Sequence, residues 1–141
     1  MTRKLAKVLI IDDDPDSCET TSTYLEKSGH ATRCVPNGHE ALAALSAELP
    51  DAIILDIRMP VMDGVELLEV LKSYLRWSTV PVALFTAYAE DPRLKRATEI
   101  GVSRVFHKSK TKLSELLAWV EANATRPHPG ADEPPAHDFK L

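Results

Sequence analysis

The chain has 141 residues, 44% hydrophobic and 27% charged, with a formal net charge of -4. That is enough for one ordinary soluble domain with a real core, and an acidic balance argues against general nucleic-acid binding. No apolar run approaches the ~20 residues of a membrane helix, so membrane insertion is not expected. The basic start, Met1 to Lys7, lacks the long apolar region and cleavage site of a signal peptide. Cys18 and Cys34 form no CxxC or metal-ligand spacing and are expected as free thiols in a cytoplasmic protein.

Lys7-Val8-Leu9-Ile10-Ile11 is a short apolar, β-branched run that predicts a buried strand. It ends in Asp12-Asp13-Asp14-Pro15, where Asp14 suits an N-cap and Pro15 a first helical turn. That helix is expected to reach about Ser28 and to stop at Gly29. His30 to Val35 is a less apolar strand, expected nearer a sheet edge. A helix after Pro36-Asn37-Gly38 carries Ala41, Leu42, Ala44, Leu45 and Leu49, and Pro50-Asp51 ends it. Ala52 to Leu55 is a third strand, apolar on both faces. It runs into Asp56, then into the turn-rich Ile57-Arg58-Met59-Pro60-Val61-Met62-Asp63-Gly64.

Val65, Leu68, Leu71 and Leu75 predict one continuous helix, with Tyr74 and Trp77 covering its end. Val80 to Phe85 is the fourth strand, closed by Thr86-Ala87. Asp91-Pro92 opens a helix to Ile100, Arg104 to His107 is a short fifth strand, and Leu113, Leu116, Leu117 and Val120 define the last helix. Five βα units with continuous apolar strands imply a parallel sheet covered on both faces, a flavodoxin-like doubly wound α/β fold of strand order 2-1-3-4-5. The domain is expected over residues 1–124. Residues 125–141, rich in proline, read as a flexible tail without a core.

In that topology the ends of strands one, three, four and five bring together Asp12 and Asp13, then Asp56, Thr86 and Lys108. Clustered carboxylates repel unless a cation sits among them, and carboxylates with a backbone carbonyl and water suit Mg²⁺. With a lysine and a hydroxyl added, the set has what phosphoryl transfer requires.

At these residues the chain resembles a response-regulator receiver domain of two-component signalling. The matching segments are Val8 to Pro15, Ile54 to Gly64, Leu84-Phe85-Thr86-Ala87 and Phe106-His107-Lys108. Asp56 and Thr86 are 30 residues apart, Thr86 and Lys108 a further 22. The resemblance implies that Asp56 accepts a phosphoryl group from a histidine kinase or histidine phosphotransfer protein. It implies that Asp13, Asp56 and the Arg58 backbone carbonyl ligate Mg²⁺, with Asp12 acting through water. Lys108 would pair with phosphoryl oxygens, and Thr86 would hydrogen-bond the phosphoryl group and shift toward it. The implied protein is a stand-alone receiver, not an enzyme acting on other substrates.

Two residues depart from the family pattern. Val105 stands where the family has Tyr or Phe three residues before the lysine, and strand alternation turns Phe106 to the opposite face. Signalling is therefore expected to run without an aromatic rotamer switch. Ser109 stands where the family has a cis proline. Because the family geometry places Lys108, a cis Lys108–Ser109 bond is expected, although it costs ~3 kcal/mol.

The alternative function is a haloacid-dehalogenase-type Mg²⁺ phosphatase using Asp12, on the strength of Asp12-x-Asp14. Asp16 occupies a position where that family has Thr or Val, and residues 87–124 lack its late acidic motif. Asp63-Gly64 reads as a turn and helix start, Met59 and Met62 as loop packing, and the five histidines as exposed or incidental. Residues 91–112 hold seven cations against two acids, a net of +5, which suits either a solvated face or an acidic partner at the fourth helix, fifth strand and last helix.

Overall fold

The computed structural model describes residues 5–88 and 90–124. The Pro-rich segment 125–141, with His128 and His137, lies outside them. Five parallel strands form one sheet: β1 (Lys7–Ile11), β2 (Ala31–Val35), β3 (Ala52–Leu55), β4 (Val82–Thr86) and β5 (Arg104–His107), in the order β2-β1-β3-β4-β5. The helices are α1 (Pro15–Lys27), α2 (Gly38–Ala47), α3 (Gly64–Ser73), α4 (Leu75–Ser78), α5 (Arg93–Ile100) and α6 (Leu113–Asn123). The central strands β1, β3 and β4 carry Val, Ile and Leu on both faces because both faces are covered. Leu9, Ile11, Ile53, Leu55 and Leu84 pack under α2, α3 and α5. Val8, Ile10, Ile54, Phe85 and Phe106 pack under α1 and α6. β2 is an edge strand, as its polar composition predicts, and only Val35 of its five residues is buried.

The helix ends follow their local chemistry. Asp14, Asn37 and Asp63 each cap a helix by accepting a backbone N–H, and Asp63 forms a reciprocal capping box with Glu66. Gly29 turns the chain out of α1 at φ 95°, a conformation that favours glycine.

Four expectations are corrected. The helix after β3 is broken at Tyr74, and Leu75 projects into solvent instead of extending the apolar stripe. Ser73 donates its hydroxyl to the Val70 carbonyl at 2.7 Å, competing with the helical ladder. The chain restarts directly after Tyr74 as the single turn α4, in a new direction of side chains, so Trp77 and not Leu75 reaches the core. His30 is buried, not exposed. Its Nδ1 accepts the Ala6 N–H at 3.0 Å, which leaves the proton on Nε2, 3.0 Å from the Glu121 carboxylate. All peptide bonds of the described residues are trans, Lys108–Ser109 included. The loop instead closes through Lys110 and Thr111 N–H groups on the His107 carbonyl, without a cis bond.

The fourth correction is that Cys18 and Cys34 are joined in a disulfide. α1 lies across β2, so the fourth residue of the helix meets the fourth residue of the strand, with Cα atoms 6.1 Å apart. Closing a 16-residue separation removes loop entropy from the unfolded chain worth ~3 kcal/mol. Urea unfolding of the reduced protein is expected to show that loss, and Cys18→Ser/Cys34→Ser should show it with or without reductant.

Candidate functional site

The carboxyl ends of the strands converge as the topology requires. Asp12 follows β1 and Asp56 follows β3, each held in the sheet by its backbone: the Asp12 N–H donates to Val35 and the Asp56 N–H to Ile11. Both carboxylates are about 5% exposed. Asp13 stands beside them in solvent, and each of the three places one carboxylate oxygen within 4.8 Å of the others.

Lys108 crosses from the end of β5 to this cluster. Its N–H donates to the Thr86 carbonyl at 2.8 Å, which fixes where the side chain starts. Its ammonium then donates to Asp12 at 2.7 Å and to Asp56 at 3.4 Å. Burial pushes the Asp56 carboxyl above its usual range and Asp12 adds to the effect, while Lys108 and the Arg58 N–H oppose it without reversing it. For Lys108 burial works against the charge, yet Asp12 and then Asp56 outweigh it, so the ammonium is held above its ordinary value.

Thr86 is fully buried at the end of β4, and its hydroxyl accepts the Tyr88 N–H at 3.1 Å. Thus Thr86 is engaged by its own following loop and not by Asp56. Asp13, Asp56, Arg58, Ala87, Tyr88 and Lys108 line the open cleft above these groups. Val105 lies on the α5 face and Phe106 is buried on the α6 face, so the aromatic is turned away as strand alternation predicts.

The rim holds a network that the sequence did not disclose. Asp91, with its side chain 2% exposed, accepts from the Arg93 backbone and guanidinium and from Arg58 Nε at 2.8 Å. Arg93 also reaches Asp63 at 3.1 Å, and the Arg58 guanidinium lies over the Tyr88 ring, 3.8 Å from its centroid. Arg93 foremost, against the opposing effect of burial, holds the Asp91 carboxyl well below the usual range. The available signal was Asp91-Pro92, which read only as the opening of a helix. The same contacts bind the loop after β3 to the start of α5. Gly64 closes the other side of that loop: a Cβ there would stand 2.6 Å from the Asp56 carbonyl.

An oxygen-only set of three carboxylates, two of them buried and offset by a single lysine, fits a small hard divalent cation. A model of the response regulator receiver domain matches residues 8–121. The chain belongs to that family. Receiver domains are the signalling phosphoacceptors of two-component systems. A 14.6 kDa protein of Leptolyngbya boryana is 34% identical over 114 residues, 81% of this chain and 86% of that protein. The DNA-binding response regulator MtrA of Mycolicibacterium smegmatis is 31% identical over 91% of this chain, which spans only about half (53%) of MtrA. The receiver domain of a signal transduction histidine kinase from Syntrophus aciditrophicus has a TM-score of 0.78 at 35% identity, covering 92% of this chain and 94% of that one. Among the described residues no helix is long and apolar enough to cross a membrane.

Two measurements follow. The folded Asp56 carboxyl binds its proton more tightly than an unfolded one. Its contribution to stability is therefore complete below about pH 4 and is lost as pH rises through the raised folded value. Without divalent cations, Asp56→Asn should be more stable than wild type at neutral pH, and the gap should close on acidification, read from urea unfolding across that range. Asp91→Ala removes a buried acceptor of charged hydrogen bonds and should cost about 2 kcal/mol by the same measurement, discounted for the partly exposed arginines.

Proposed function

We propose that this receiver takes a phosphoryl group on Asp56 from a histidine kinase or histidine phosphotransfer protein and signals through the phosphorylated state. The observation that carries the reading is the position of Asp56: a buried carboxylate at the end of β3, beside Asp12 and Asp13, with the Lys108 ammonium on its flank. A carboxylate oxygen attacks phosphorus, the bond from phosphorus to the donor imidazole breaks, and its electron pair leaves with the nitrogen, which takes up a proton. The product is an acyl phosphate on Asp56.

Asp12, Asp13, Asp56 and the Arg58 backbone carbonyl would hold Mg²⁺. That cation supplies charge neutralisation for the incoming phosphoryl oxygens. Lys108 then turns from Asp12 and Asp56 toward a phosphoryl oxygen, offsetting charge from the other side. Thr86 gives up the Tyr88 N–H and offers its hydroxyl to the phosphoryl group. With Val105 next to Leu84 on β4, that shift is not read by a swinging aromatic ring.

On this reading the receiver domain spans residues 1–124 and works in the cytoplasm. It catalyses only its own phosphorylation and dephosphorylation. Family membership sets the haloacid-dehalogenase alternative aside. A downstream partner at α5, β5 and α6 would be acidic, meeting Lys95, Lys110 and Lys112. Arg93 and Arg96 of the same region are engaged by Asp91, Asp63 and Glu69.

Incubation with acetyl phosphate and Mg²⁺ is expected to add the mass of one phosphoryl group to the intact protein. Asp56→Asn should take up none, and Lys108→Ala should slow uptake roughly hundredfold. Undiminished uptake by Asp56→Asn would sink the assignment.

A further inference from the structure

We propose that Cys18 and Cys34 form a reversible thiol–disulfide site that sets the cation affinity of the acidic cleft. Its redox partners are small thiols and disulfides of the glutathione class. The inference rests on the reading of Asp12, Asp13 and Asp56 as a Mg²⁺ site.

The bridge lies at the ends of two short paths to Asp12. On one side the Cys18 N–H donates to the Asp14 carbonyl, and the Asp14 N–H donates to Asp12 Oδ1 at 3.0 Å. On the other side Cys34 precedes Val35, whose carbonyl accepts the Asp12 N–H at 3.0 Å. The disulfide joins the two paths into a closed ring around Asp12. A groove lined by Asp12, Asp13, Pro15, Cys18, Cys34 and Val35 runs along that ring. With the ring closed, the backbone and one carboxylate oxygen of Asp12 are both tethered. With it open, edge strand β2 and the first turn of α1 lose their covalent tie. The like-charged acids, which otherwise repel, can then spread apart. A cation is bound most tightly by carboxylates already held together.

The chemistry is accessible from one side. Cys34 is exposed on β2, whereas Cys18 is 5% exposed. A thiolate attacks the Cys34 sulfur, the Cys18–Cys34 bond breaks, and its electron pair leaves on Cys18. Near the N-terminus of α1 the helix macrodipole favours that anion. A second thiol releases Cys34, so two glutathione molecules become one glutathione disulfide while the protein gains two thiols. Oxidation by glutathione disulfide is the reverse.

Coupling of this kind is reciprocal: a bridge that strengthens Mg²⁺ binding is itself made harder to reduce by Mg²⁺, by the same factor. The test is Mg²⁺ titration of the full chain, followed by amide chemical shifts, after treatment with glutathione disulfide or with dithiothreitol. The oxidised protein is expected to bind Mg²⁺ about fivefold or more tightly. Saturating Mg²⁺ should raise the equilibrium constant for disulfide formation against glutathione to match. Cys34→Ser, a change at an exposed residue, should bind as the reduced protein does under both treatments. Equal affinities of the two wild-type states, or oxidised-state affinity in Cys34→Ser, would overturn the redox inference and leave the phosphoacceptor reading standing. Absence of Mg²⁺ binding in both states would overturn both.

Discussion

The ammonium of Lys108 between Asp12 and Asp56 is the constraint on which the rest depends. Two carboxylates buried to this degree repel each other and resist desolvation, and the resting fold keeps them together because a cation from another strand lies between them. β5 is not a neighbour of β1 or β3. Lys108 must cross the end of β4 to reach its partners, anchored on the Thr86 carbonyl as it does so. The strand order is therefore part of the electrostatics. In any order that moved β5 farther out, a lysine side chain could not span the gap.

The cleft has one stiff wall and one that can yield. On the stiff side the loop after β3 is fixed from below by Gly64, where α3 lies against the Asp56 backbone. From above it is fixed by the Arg58, Asp91, Arg93 and Asp63 contacts. On the other side the Thr86 hydroxyl holds a single backbone N–H. A group arriving at Asp56 can recruit that hydroxyl at the cost of one hydrogen bond, whereas moving Arg58 takes a charged partner from the buried Asp91 carboxylate.

The strand order and the converging residues were legible because they rest on local signals that agree: apolar β-branched runs, acids at strand ends, and helical stripes between them. The parts that were not legible involve pairs far apart in sequence or competing local geometries. Cys18 and Cys34 meet only because α1 lies over β2. His30 reads as one more polar residue until its two ring nitrogens find Ala6 and Glu121. Leu75 continues a spacing pattern, but the Ser73 hydroxyl competes for the carbonyl that would sustain the helix. Lys108 reaches its partners from a trans bond, so the family's cis proline is not needed to aim it here.

The sheet ends in two edge strands, β2 and β5, and β2 is guarded by side chains. On β2, Thr32 is clasped to Ser22 and Glu26 of α1, while Arg33 places a charge on the exposed strand. Unpaired strand margins are templates on which further copies of a chain can add, and charge together with side-chain cover is how natural sheets resist it. The disulfide belongs to that cover. It keeps the most exposed strand of the sheet against its own helix, so the bond beside the acidic cleft also protects the molecule against growing into a larger sheet.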